Sequence, residues 1–117
     1  MSKQLLFIAC LFLSVSVCFA ANYYVSPTAT GSGDGSFNNP WKLQQAFNAP
    51  AAINNPTDTV WIWLREGIYT NSFNSETSFS CFTNGKVNAP IIFRNYNNER
   101  ATIDGQQTYT LAFSLGN

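Results

Sequence analysis

Few groups in this chain of 117 residues could carry out chemistry, because it contains six basic residues, six acidic residues and no histidine. The lack of histidine excludes His-based zinc sites and Ser-His-Asp or Cys-His catalysis within these residues. The first acidic candidate, Asp34 in "GSGDGS", is a single carboxylate in a loop. Calcium prefers about six to eight oxygen ligands. We therefore expect Asp34 to form an ordinary turn, with metal binding as the less favoured alternative.

Two further aspartates lie beside predicted strands. Asp58 precedes "TVWIWL", and Asp104 precedes Gly105. Aspartate commonly hydrogen-bonds to the backbone at turns. We expect Asp58 to shape the start of a strand and Asp104 to shape a corner. The sequence assigns no catalytic, cofactor-binding or metal-binding residue.

Two groups of charged residues could face a sugar: Arg65 with Glu66, and Arg94 with Glu99 and Arg100. The alternative is solvated surface charge, in which such pairs contribute little energy. We favour this second interpretation.

Trp61 and Trp63 are two residues apart and therefore share one face of a strand. Exposed aromatic rings could stack on sugar rings, as in carbohydrate-binding proteins. Packing against neighbouring elements is the alternative, and we favour it because large aromatic rings usually bury their area.

The segment that ends at Ala20 predicts a secretory signal peptide. Lys3 precedes an apolar run from Leu5 to Phe19, and small residues surround a cleavage position after Ala20. The alternative, an uncleaved membrane anchor, needs about 20 apolar residues. We expect a secreted mature chain of residues 21–117 with no membrane association after cleavage.

The mature chain would keep one cysteine, Cys81, since Cys10 and Cys18 lie in the signal segment. A lone cysteine forms no internal disulfide. Cys81 lies among aromatic residues in "SFSCFTNG", so we expect a small buried side chain. A reactive thiol would require a basic or histidine neighbour.

Charge excludes one class of partner. Removal of Lys3 leaves five basic and six acidic residues, without a basic stripe. Nucleic-acid binding therefore has no electrostatic support. The low charge and the many asparagines and aromatic residues indicate a β-rich chain with many turns.

The strongest strand signal is "DTVWIWLREGIY". Val60, Ile62 and Leu64 alternate with the two tryptophans, so both faces are apolar and we expect both to be covered. Gly67 allows a bend before the strand resumes.

The stretch "NPWKLQQAFNA" predicts the only helix. Asn39 suits the N-cap, Pro40 the first helical position, and Pro50 ends the helix after about two and a half turns. Three apolar residues share its inner face: Leu43, Ala46 and Phe47.

The last three predicted strands start at Pro90, Ala101 and Tyr109, about ten residues apart. Such spacing fits a sandwich or a solenoid. The corner "NNER" carries no glycine and is no two-residue hairpin turn. Asparagine tolerates the left-handed backbone angles of a blunt corner. These corners favour three strands per circuit, stacked as a parallel β-helix.

Three stretches resemble a known family: "NYYVSPTATGSGDGSFNNPWKLQQAF", "DTVWIWLREGIY" and "APIIFRNYNNERATIDG". They are similar to the opening of secreted right-handed parallel β-helix proteins of the pectate-lyase-like superfamily, in the branch with chondroitinase-B-like and alginate-lyase-like enzymes. The resemblance implies an all-β fold that begins with a capping helix, followed by the first coils. "IDG" at a corner is also shared with polygalacturonase-like enzymes and with β-helix proteins of no known activity.

The resemblance also implies a function. Similar enzymes cut acidic polysaccharides by β-elimination, in which a basic side chain removes a proton and calcium or arginine neutralises the uronate carboxylate. Their catalytic groups lie on middle coils, so no residue of this chain inherits a role, and we expect no cofactor in this segment. Calcium is expected only in a full-length protein. Two alternatives stay open: a non-catalytic β-helix adhesin or glycan-binding protein, and a compact carbohydrate-binding β-sandwich.

Length leads to a last expectation. About 97 mature residues would supply one cap and one or two coils, whereas stacked repeats generally need about three units. We expect an N-terminal fragment of a longer secreted protein, aggregated or poorly folded and inactive when isolated.

Overall fold

The computed structural model of the chain describes residues 20–107 and 111–115. The predicted signal segment up to residue 19 and the start of the last predicted strand at Tyr109 lie outside these residues. The described residues form seven strands and one short helix. These are β1 (Ala21–Val25), α1 (Leu43–Phe47), β2 (Val60–Leu64), β3 (Gly67–Tyr69), β4 (Thr77–Cys81), β5 (Ile91–Asn95), β6 (Ala101–Ile103) and β7 (Leu111–Leu115). The predicted all-β class is confirmed.

The strands pair in parallel in three sheets, β1-β2-β5, β3-β6 and β4-β7. In the first sheet Val60 pairs with Ile91. In the other two sheets Gly67 pairs with Ala101 and Thr77 pairs with Leu111. The sequence separation between paired residues is therefore larger in these two sheets than in the first. The coil β5-β6-β7 therefore stacks on the coil β2-β3-β4. This parallel pairing does not fit the antiparallel β-sandwich alternative.

The corner "NNER" turns the chain from β5 to β6 as the sequence predicted. Asn97 and Asn98 have left-handed backbone angles, with φ of 47° and 60°. The backbone N–H of Glu99 donates to the carbonyl oxygen of Tyr96 at 2.7 Å, which closes the turn. Asparagine adopts this conformation at little cost because its side chain can bond locally.

Strand β2 places its aliphatic side chains in the core. Val60, Ile62 and Leu64 are buried, whereas Trp61 and Trp63 on the opposite face are partly exposed. The expectation that both faces are covered is therefore met by the aliphatic face and only in part by the tryptophan face. Within the described residues, the tryptophan face meets aromatic side chains at its edges, and no strand or helix packs over it.

The predicted capping helix of two and a half turns is not seen. The helix present, α1, spans five residues, and its N-cap is Lys42 rather than Asn39. Trp41 is extended instead, because its N–H donates to the carbonyl of Tyr24 at 3.0 Å and its carbonyl accepts from Ser26 at 3.0 Å. The preceding residues are therefore held against β1, and the helix starts after them.

The inner face of α1 agrees with its pattern, since the three predicted apolar residues are buried: Leu43, Ala46 and Phe47. Phe47 reaches both coils. Its ring centroid lies 6.1 Å from that of Phe79 in β4, 4.9 Å from that of Phe93 in β5 and 5.3 Å from that of Phe113 in β7. The carbonyl of Phe47 also accepts a 2.7 Å bond from the N–H of Phe82.

Candidate functional site

The sheet β1-β2-β5 carries a partly exposed group of aromatic side chains on the face opposite the core. We call it the outer aromatic surface, and its members are Tyr24, Phe37, Trp61, Trp63 and Tyr96. The parallel register assembles it, because outward-facing residues of neighbouring strands fall into rows. One row contains Tyr24, Trp63 and Arg94.

The two tryptophans stack on each other. Their ring centroids are 5.3 Å apart and their planes differ by 11°. Trp63 is held further, because its Nε1–H donates to Oδ1 of Asn22 at 2.9 Å and its ring meets the ring of Tyr96 edge-on at 6.1 Å. Among the described aromatic rings, the ring of Trp61 contacts only that of Trp63. The orientation of Trp63 is thus held by three contacts, whereas Trp61 is held by its stacking on Trp63 and stays partly exposed.

The remaining three rings form a packed cluster. Tyr24 contacts Phe37 at 5.2 Å and Tyr96 at 5.6 Å, and Phe37 contacts Tyr96 at 5.8 Å, all in edge-to-face geometry. Edge-to-face geometry suits the quadrupoles of aromatic rings. The guanidinium of Arg65 lies 4.5 Å from the ring centroid of Phe37 and 5.2 Å from that of Tyr96. Arg65 therefore stabilises this cluster through cation–π contacts.

Arg65 forms an ion pair with Glu99, whereas the sequence grouped it with Glu66 and favoured solvated surface charge. Its Nε lies 3.0 Å from Oε2 of Glu99 and its second guanidinium nitrogen lies 3.1 Å from Oε1, a two-pronged contact. The backbone N–H of Glu66 donates to the same carboxylate at 2.8 Å. The side-chain bond to Arg65 lowers the pKa of Glu99, and the same bond raises the pKa of Arg65. The pair links two successive coils, which chain proximity could not reveal.

Arg94 differs from Arg65, because its side chain is exposed and forms no ion pair or hydrogen bond with the described part of the chain. It lies beside Trp63 in the strand register. Arg100 is exposed at another place, a shallow groove between the strands β3 and β6 that Glu66, Ile68 and Thr102 also line. The predicted group of Arg94, Glu99 and Arg100 is therefore not one cluster.

The aspartates take turn positions. Oδ1 of Asp34 accepts the N–H of Ser36 at 2.9 Å, and Oδ1 of Asp104 accepts the N–H of Gln106 at 2.8 Å. The turn assignments of Asp34 and Asp104 are confirmed, and bonding to Ser36 lowers the pKa of Asp34. Asp58 is partly exposed just before β2. In residues 20–107 and 111–115, no three His, Cys, Asp or Glu residues come together as a metal site.

Cys81 is buried in β4, as predicted, and its Sγ lies 3.0 Å from Oγ1 of Thr83. It borders an apolar groove of about 380 Å³ at the end of the coil stack, which we call the open end. Its apolar lining includes Ile103, Phe113 and Leu115, of which Leu115 is 75% exposed. The open end is thus an apolar surface rather than a polar active site.

Sequence reasoning named Trp61 and Trp63 as candidates for sugar stacking, although it favoured packing, and it missed Phe37 and Tyr96 as members of the same surface. Phe37 lies in a loop after β1, and Tyr96 follows β5. The one usable signal was that both are large apolar residues in otherwise polar stretches, "GSFNNP" and "RNYNNE". Among the described helices, none has the length and apolar character to cross a membrane.

Comparison with known proteins identifies one related sequence of known class. No family model matches the chain, and no solved structure matches it. The chain is similar to pectate lyase PEL9 of Emericella nidulans, with 32% identity over 107 residues. That alignment covers 92% of this chain and 23% of the relative, so the chain spans about a quarter of the relative's length. The match supports a pectate-lyase-like relationship for these residues.

Proposed function

We propose that this chain forms the first coils of an extracellular, right-handed parallel β-helix protein that acts on acidic polysaccharide by β-elimination. The observation that carries the proposal is the agreement of two findings. Strands of successive coils pair in parallel in all three sheets, and the same part of the chain is similar to a pectate lyase. The proposal includes a signal peptide of residues 1–20, cleaved after Ala20.

The proposed reaction breaks the bond between a uronate ring and the oxygen at its C4. A base removes the proton from C5 beside the carboxylate, the electron pair forms a C4–C5 double bond, and the C4 oxygen leaves with the neighbouring sugar and takes up a proton from an acid or from water. A cation near the carboxylate makes that proton more acidic. The described acidic residues do not fit a calcium site, since they form no cluster that could hold a metal. We place the base and the cation on coils other than those described.

The open end supports the proposal that more coils stack on β5-β6-β7. Ile103, Leu111 and Phe113 are 42%, 49% and 40% exposed although they belong to strands. A further coil would cover these side chains and pair the free strand edges, as stacking does between the two described coils.

A second candidate function is a non-catalytic β-helix that binds glycans, for example an adhesin. The outer aromatic surface favours it, because exposed aromatic rings suit sugar stacking and require no reaction. The two candidates differ in whether the protein makes a product.

The test uses the complete secreted protein with pectate, alginate and chondroitin, each in the presence and absence of calcium. The expected result is unsaturated-uronate absorbance with pectate. Absence of this absorbance with all three polymers would refute the lyase proposal and leave the glycan-binding candidate. N-terminal sequencing of the secreted protein checks the cleavage site, and a mature chain that does not begin at Ala21 would refute that part.

A further inference from the structure

We infer that Trp61, Trp63 and Arg94 form a non-catalytic binding site for an acidic glycan chain on the outer face of the sheet β1-β2-β5. The ligand class, a polyuronate, rests on the proposed function, whereas the site itself rests on geometry. It would hold the polysaccharide against the first coils while the reaction takes place elsewhere.

The first argument is the state of the tryptophans. A strand residue that faces solvent is usually polar, yet β2 presents two indoles there, stacked with an interplanar angle of 11°. Stacking and the bond from Trp63 Nε1 to Asn22 fix their orientation. Fixed rings lose little conformational entropy when a ligand binds, and their apolar area is available because both stay partly exposed.

The second argument is charge. Arg94 is the register partner of Trp63, and neighbouring strands lie about 4.8 Å apart. Its guanidinium has no carboxylate partner in the described residues, whereas Arg65 on the same face is neutralised by Glu99. A polyuronate that stacks on the indoles would bring a carboxylate within reach of Arg94, and Arg–carboxylate contacts are geometrically specific.

The third argument separates this site from mere packing. Tyr24, Phe37 and Tyr96 are mutually packed edge-to-face around Arg65, and that cluster is satisfied without a ligand. Trp61 lies outside it and contacts Trp63 alone among the described rings. The part of the Trp61 ring that Trp63 does not cover contacts no other described ring, so a sugar that binds from solvent could stack there.

The experiment measures binding by calorimetry with the complete secreted protein at low ionic strength. The probes are an oligogalacturonate and its fully methyl-esterified form, which has the same length and no charge. We expect Trp61→Ala to weaken binding of both probes about tenfold, equivalent to about 1.4 kcal/mol. Arg94→Gln should weaken only the charged probe, about two- to fivefold, and reduce the salt dependence of its binding.

Controls separate binding from folding. Val87 is apolar, 99% exposed and lies in the turn before β5, outside the outer aromatic surface, so Val87→Ala should leave both affinities unchanged. Trp61→Phe should retain part of the affinity because it keeps a ring. Thermal unfolding of each variant identifies any loss of fold, and Arg94→Gln keeps the test valid if Trp61→Ala does not fold.

The outcomes distinguish this inference from the proposed function. If elimination of pectate persists while Trp61→Ala and Arg94→Gln change neither affinity nor KM, the binding site is refuted and the lyase proposal stands. If no elimination occurs but both variants weaken binding as stated, the site is supported and the lyase proposal fails. Equal weakening of both probes by Arg94→Gln would refute recognition of a carboxylate.

Discussion

Removal of a single oxygen atom, in the variant Tyr69→Phe, tests how the first coil is joined. Tyr69 in β3 is only 2% exposed, and burial raises the pKa of its phenol. Its hydroxyl lies 3.0 Å from the carbonyl oxygen of Val25 and 2.6 Å from that of Arg65. The hydroxyl thus joins the end of β1, the turn after β2 and β3 itself.

The expected loss of stability depends on which of the two carbonyl oxygens still has a hydrogen-bond donor in the variant. The oxygen of Val25 still accepts the backbone N–H of Arg65 at 3.0 Å in the variant. The oxygen of Arg65 loses its short, partly buried bond from Tyr69. A partly buried carbonyl without its partner costs about 1–2 kcal/mol, and no cavity contributes because the ring is retained. We expect Tyr69→Phe to lower the free energy of unfolding by this amount.

The assay is denaturant unfolding of the protein, followed by tryptophan fluorescence. The matched control is Tyr23→Phe, since the ring of Tyr23 stacks on Trp41 at 4.9 Å and its hydroxyl forms no hydrogen bond with the described residues. That variant should be nearly neutral. Equal losses in the two variants would show that the Tyr69 hydroxyl does not join the elements of the first coil.

Three further predictions follow from the same contacts. Phe47→Ala should lower the free energy of unfolding by about 3–5 kcal/mol, because its ring contacts both coils; denaturant midpoints measure this, and a loss below about 1 kcal/mol would refute the packing. Gly67→Ala should lower the thermal midpoint, because Gly67 has φ of 132° and an added Cβ would lie 2.6 Å from Cγ of Pro27; an unchanged midpoint would contradict this. The folded-state pKa of Glu99 is lowered by Arg65, so its contribution is present above the unfolded pKa of about 4.3 and is lost as pH falls through the folded pKa. Glu99→Gln should therefore make stability depend less steeply on pH below the unfolded pKa of Glu99. Thermal unfolding at several acidic pH values measures this, and an identical pH dependence in the variant would refute the contribution of the Arg65–Glu99 ion pair.

The sequence predicted those features that depend on local pattern. Alternation in "VWIWL" placed Val60, Ile62 and Leu64 together, and the structure buries all three. The asparagines of the corner "NNER" likewise predicted left-handed backbone angles. The energetic cost of such angles depends on the residue itself and on its sequence neighbours, so it can be judged from the sequence. Parallel pairing was favoured because the corners were too long for tight hairpins.

Features that depend on distant contacts were not predictable in this way. The helix is shorter than its pattern because Trp41 pairs with the end of β1, in the bridge from Val25 to Trp41 across the intervening loop. Local propensity is readily overridden by such contacts. The outer aromatic surface needed Tyr96, which the register of β5 brings beside Trp63, and sequence alone does not give that register.

The difference in length between two corners explains why this surface exists. Two residues join β2 to β3, whereas five join β5 to β6, and this difference accounts for the longer step between partners in the sheets β3-β6 and β4-β7. The longer corner carries Tyr96 at its start and Glu99 near its end. Tyr96 packs against the rings of the preceding strands, and Glu99 binds Arg65 and the N–H of Glu66 in the shorter corner below. The extra residues therefore extend the corner and leave the strand pairing intact. They also provide the ion pair between Glu99 and Arg65, which links the coils, and the ring of Tyr96, which borders the outer aromatic surface.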